Sequence, residues 1–189
     1  MSKLLALAAI FTCWLPNLSL AQPPGMTEID EAVAKMQIQE VMYRYALYHN
    51  TDRPEAYAGL FTEDADFFGQ LHGRDAIYQM AVEEVENLGA LGVTVHGDYR
   101  FGFLNTQVVN PVIDIIDATH ATGIAYVQVV VPDIDNDNVP TILSVGTYQD
   151  EFRKVDGKWL IAKREYFSSQ SNEALGAKLG LGPPPATDD

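Results

Sequence analysis

Apolar positions recur along the chain first with a helical period and then with a strand period. Ile38, Val41, Met42, Tyr45 and Tyr48 fall three or four residues apart, which predicts a long amphipathic helix running to about Tyr48. Thr27 and Asp30 precede it at capping-box spacing, with Asp where Glu is preferred. Pro54 suits the first turn of a second helix carrying Tyr57, Leu60 and Phe61 on one side. Residues 65–68 read as a short strand. Ile77, Met80, Ala81, Glu84, Val85 and Leu88 predict a third helix over 74–88, ended by Gly89.

Beyond it, β-branched and aromatic segments at 93–95, 99–104, 108–116, 123–131, 141–154 and 158–168 alternate with turn residues. Helices followed by an antiparallel meander predict an α+β fold, with the helices on one face of a curved sheet. Asp156-Gly157 is the strongest hairpin signal. With those two residues as the loop, Phe152 faces Ile161, Lys154 faces Trp159, Asp150 faces Lys163, and Tyr148 faces Glu165. That register puts Asp150, Lys163 and Glu165 on the inner surface, as an ion pair or as part of a site, and turns Arg153 and Arg164 outward.

Both ends differ from this middle. Lys3, an apolar run over 4–15, Pro16 and Ser19-Leu20-Ala21 follow the grammar of a secretory signal over residues 1–21, cleaved after Ala21. The run is shorter than the ~20 residues of a membrane-spanning helix. Residues 22–26 form a short lead, 27–170 the domain, and 171–189 a Gly/Pro-rich tail. The protein is therefore expected in the periplasm or outside the cell. The single cysteine, Cys13, leaves with the signal, which removes disulfides, thiolate metal sites and cysteine nucleophiles.

With 47% hydrophobic and 20% charged residues, the composition is that of a folded globular chain. The net charge of −14, with basic residues grouped only at Arg153-Lys154 and Lys163-Arg164, excludes nucleic acid and disfavours an anionic membrane as partner. No P-loop, nucleophile elbow or dinucleotide fingerprint occurs, and His49, His72, His96 and His120 lack zinc-site spacing, so no cofactor and no metal are expected. Residues 133–138 imitate the start of a calcium loop but lack its glycine and its final glutamate, which leaves a solvated hairpin tip.

Three segments carry a resemblance: Ile38-Gln39-Glu40 leading through Tyr45 to HNTDRPEAYAGLFTEDADF (49–67), NPVIDI (110–115), and GTYQDEFRKVDGKWLIAKRE (146–165). In this order the chain resembles the SnoaL-like branch of the nuclear-transport-factor-2-like superfamily. The resemblance implies a cone, in which a strongly bent antiparallel sheet wraps the first helix and three N-terminal helices leave a pocket at the wide end. It also implies a homodimer through the outer sheet face. The superfamily includes polyketide cyclases, dehydratases, isomerases, dehydrochlorinases and plain binding modules.

Members with a carboxylate–histidine dyad take the acid from the end of the first helix and the histidine from four residues before the strand-opening Asn. Those positions are Asn50 and Thr106 here, and neither side chain is a general base at neutral pH. His49 and His96 are the substitutes, with Asn50 orienting the histidine or a substrate carbonyl. Tyr45, Tyr48, Tyr57, Phe61, Tyr148 and Phe167 are expected to line the pocket, with Thr106, Asp150 and Glu165 as further ligand-binding candidates. His72 and His120 read as surface residues. Two functions follow: proton-transfer chemistry (elimination, isomerisation or cyclisation) on a small apolar cyclic or polyketide-like molecule, or non-catalytic binding of such a molecule.

Overall fold

Thr27 opens the first helix by accepting from the Asp30 amide at 3.1 Å, while its own amide donates to the Asp30 carboxylate at 3.0 Å. The shorter Asp side chain closes the box as Glu would. The computed structural model describes residues 22–90, 104–133 and 135–179. The signal, His96, the strand expected at 93–95, most of that at 99–104, and residues 182–189 lie outside the described residues.

Three helices and two strands come first: α1 Glu28–Asn50, α2 Pro54–Ala58, β1 Phe61–Phe67, β2 Leu71–His72 and α3 Arg74–Ala90. Four long strands and a short helix follow: β3 Asn105–Ile115, β4 His120–Asp133, β5 Val139–Val155, β6 Lys158–Ser171 and α4 Glu173–Lys178. The six strands form one curled sheet in the order β2-β1-β6-β5-β4-β3. Ala34, Ile38, Val41, Met42 and Tyr45 bury one side of α1 against its concave face, beside Tyr57, Ile77, Phe152 and Ile161. The architecture is α+β. Among the described residues, no helix is long and apolar enough to cross a membrane.

Four details depart from the sequence pattern. β1 lies parallel to β6, so the sheet is mixed. The long excursion through α3 and three strands gives the chain room for that parallel neighbour. Phe61 opens β1 instead of ending α2, which stops at Ala58. α3 runs through Gly89 to Ala90. Residues 173–178, read as the start of the tail, are helical, with Leu175 and Leu179 buried beside Leu104 and Val131.

The hairpin holds the largest correction. Near its tip the register is as expected, Phe152 opposite Ile161 and Lys154 opposite Trp159. Glu151 then pairs with Lys163, so Ala162 is an extra residue on β6. A one-residue slip exchanges the two faces of a strand. Asp150 therefore faces Arg164 and not Lys163, Tyr148 faces Tyr166 and not Glu165, and Arg164 turns inward. Lys163 and Glu165 pair with each other at 2.9 Å on the outer side.

Candidate functional site

Tyr45 and His49, one turn apart on α1, stand in the wall of a cavity of about 390 Å³ between the helices and the sheet. Phe67, Phe68, Met80, Leu104, Val129 and Leu143 make most of the remaining wall apolar. Tyr57, Tyr148 and Tyr166 add phenol rings, and Asn172, Glu173, Gly176 and Ala177 bring α4 to its margin.

His49 meets a carboxylate that is not among the expected site residues. Its Nε2 lies 3.0 Å from Oε1 of Glu84 on α3, and Glu84 also lines the cavity. Nδ1 lies 2.9 Å from the Thr106 hydroxyl on β3. Burial alone would depress the imidazole. The charge and hydrogen bond of Glu84, joined by the charge of Asp52, outweigh burial and hold His49 above the ordinary histidine value.

Asn50 faces the backbone instead of the cavity. Its amide donates to the Thr106 carbonyl at 2.9 Å and accepts from the Thr106 amide at 2.7 Å. This two-point clip fixes β3 to the end of α1, so Asn50 acts on His49 only through Thr106. Asn50 and Thr106, the two positions expected to correspond to a catalytic acid and histidine, form a structural joint.

Beneath the cavity, the buried Arg164 donates twice to Asp150, at 2.7 Å each. The guanidinium lies against both the Tyr45 and Tyr148 rings, 4.0 and 4.2 Å from their centroids. Burial pushes the Asp150 carboxyl up, against the pull of Arg164, while Asp150 outweighs burial and raises Arg164, which stays charged. Burial, with help from Tyr45, also pushes Tyr57 and Tyr148 well above the ordinary phenol value, so both hydroxyls stay protonated. The buried Tyr166 hydroxyl has no protein partner among the described residues and stands in the cavity wall.

Of the expected site residues, Tyr45, His49, Tyr57 and Tyr148 line the cavity, and Thr106 backs His49. Phe61 is fully buried in the core behind Tyr45 and Tyr57. Tyr48 lies outside this cavity, its hydroxyl accepting from Arg44 at 2.7 Å. Asp150 is consumed by Arg164. Glu165 and the exposed Phe167 lie on the outer face, because Ala162 shifts the register. His72 and His120 are exposed. Among the described residues, no group of three His, Cys, Asp or Glu side chains could hold a metal ion.

The sequence profile of the SnoaL-like domain matches residues 30–165. The chain belongs to the SnoaL-like family. No curated protein matches this SnoaL-like chain significantly. It is similar to the structure of a variant of Rv3472, a Mycobacterium tuberculosis protein of unknown function, at 26% identity and a TM-score of 0.61 over 75% of this chain and 80% of that one. A candidate scytalone dehydratase from Novosphingobium aromaticivorans shares the fold at 23% identity and a TM-score of 0.60, covering 77% and 91% of the two chains. A hexachlorocyclohexane dehydrochlorinase, LinA type 2, does so at 15% identity and a TM-score of 0.60, covering 76% and 90%.

Glu84 left a signal in the sequence. It occupies a position of the apolar stripe of α3, where a carboxylate needs a buried partner. Arg164 and Tyr166 left none, because the bulge that turns them inward has no residue signature.

Proposed function

We propose that this SnoaL-like protein is an exported, cofactor-independent enzyme that moves a proton on a small, largely apolar cyclic molecule. The single observation that carries this reading is the His49–Glu84 pair in the wall of a largely apolar cavity. Both imidazole nitrogens are engaged, Nε2 by Glu84 and Nδ1 by Thr106. Glu84 lines the cavity, so its carboxylate is the group that meets a substrate C–H. The His49 imidazole at Oε1 orients that carboxylate, and the proton taken up by Glu84 is handed back from it to the product or the leaving group. The Tyr45, Tyr148 and Tyr166 hydroxyls supply donors for an oxygen that gains charge as the proton leaves. Elimination, isomerisation and cyclisation all begin with such a step. The names of two fold neighbours, a dehydratase and a dehydrochlorinase, also denote eliminations.

A second reading, a binding module without chemistry, is favoured by the Asn50–Thr106 clip, which turns both expected dyad positions into scaffold. One experiment separates the two. Cyclic ketones, hydroxyketones and chlorinated rings are incubated with wild-type protein and with Glu84→Gln, and products and bound ligand are followed by mass spectrometry. Turnover lost in the variant with binding retained supports the enzyme. Binding without turnover in both leaves the module.

A further inference from the structure

α1 is apolar on two sides. The face opposite its buried stripe carries Ile29, Val33, Met36, Tyr43 and Leu47, all exposed, with Ile29 at 75% and Met36 at 69%. With Glu40, these positions advance by four, three, four, three and four residues, the 3.5-residue period of a coiled-coil seam. A solvated helix face has no reason to hold that period. We propose that α1 pairs with α1 of a second copy of this chain, as an antiparallel two-stranded seam about a two-fold axis near the middle of the helix.

The pattern is self-complementary in that orientation. In antiparallel pairing, Ile29 meets Leu47, Val33 meets Tyr43, and Met36 meets Glu40, with each contact repeated by symmetry. Along one flank Asp30 lies opposite Arg44 of the second copy, and Gln37 lies opposite itself. Along the other flank Ala32 lies opposite Ala46, and Gln39 lies opposite itself. No like charges meet. Parallel pairing would stack Glu40 on Glu40 in the middle of the seam, a like-charge contact that works against it. Glu40 is already neutralised by Arg44 at 2.7 Å on its own helix, which lowers the cost of laying its stem beside Met36.

The flanking charges set register and direction more than affinity. α1 is about 34 Å long at ~1.5 Å per residue. A seam one helix wide is narrower than the ~800 Å² per partner of a standard interface, so the dimer is concentration-dependent. The outer sheet face also exposes Val112, Ile124 and Tyr126, but Asp114, Glu151, Lys163 and Glu165 share that face with them, and nothing there fixes a register.

The test uses protein recovered from the expressing cells in a Cys13→Ser background, with its N-terminus determined. Sedimentation from micromolar to sub-millimolar concentration is expected to show a monomer–dimer equilibrium. Met36→Lys, on an exposed position, is expected to weaken it by roughly tenfold or more without changing circular dichroism or the Tm of the dilute monomer. On oxidation, an equal mixture of Val33→Cys and Tyr43→Cys chains is expected to form the mixed disulfide dimer, and each chain alone to remain uncrosslinked. A monomer at every concentration overturns the proposal. So does a dimer indifferent to Met36→Lys but dissociated by Tyr126→Glu, or a Val33→Cys chain that crosslinks to itself.

Discussion

His49 Nε2 and Glu84 Oε1 lie 3.0 Å apart, joining the last turn of α1 to the middle of α3 across the cavity wall. The imidazole comes from α1 and the carboxylate from α3. The contact decides the sign of the His49 shift, because burial without Glu84 would favour the neutral ring.

A raised folded-state value means that protonated His49 stabilises the fold fully below the ordinary value of 6.5, and that this contribution is lost as pH rises through the folded value. An NMR titration of the imidazoles should place His49 above 6.5 in the wild type and below it in Glu84→Gln. The stability difference between the two proteins should be largest between about pH 5 and 6.5 and shrink above that. Identical His49 titrations in the two proteins would separate the pair.

Removing one partner of the Asp150–Arg164 pair should cost more than removing both. Asp150→Ala leaves a buried guanidinium against two tyrosine rings and should lose about 3–5 kcal/mol in urea unfolding. Asp150→Leu with Arg164→Met should recover most of that loss, since a well-packed apolar pair of similar volume is commonly neutral. An additive double variant would show that the two side chains do not act as a unit.

An acid placed at position 50 should harm this protein. Asn50→Asp deletes the donor to the Thr106 carbonyl and sets a carboxylate oxygen against it, at a cost of about 1–3 kcal/mol. Thermal unfolding should report the loss, and turnover of any substrate should not rise. A gain in rate would show that Asn50 reaches the cavity.

Most of the fold was legible because periodicity reports which face of an element is buried. α1, α3 and β3–β6 follow their apolar spacing, and Asp156-Gly157 closes the turn with φ values of 50° and 78°. What the sequence did not show is the single extra residue at Ala162. A bulge carries no composition signal, yet it decides whether Arg164 or Lys163 enters the core, and hence that Glu165 has no place in the cavity. The site was half legible for a related reason. His49 stands out as a histidine one turn after Tyr45, but a partner such as Glu84 is recognised only once α3 is laid across α1. α4 was hidden because Gly176 and Ala177 read as tail until Leu175 and Leu179 find Leu104 and Val131 to pack on.

Export is tested separately. Expressed with its native start, the protein should appear in the periplasm or medium as a chain beginning at Gln22, by intact-mass measurement. Protein retaining residues 1–21 at that location would contradict the reading.

The central claim is that the His49–Glu84 pair moves a proton on a bound ligand, and deuterium wash-in tests it without knowledge of the leaving group. Cyclic ketones that bind the cavity are incubated in D₂O, and loss of the α-proton signal is followed by NMR. The wild type should exchange that proton, with Glu84→Gln slower by about 10²–10⁴-fold and still able to bind. Equal exchange in wild type and Glu84→Gln would contradict the account, as would ligands that bind and never exchange.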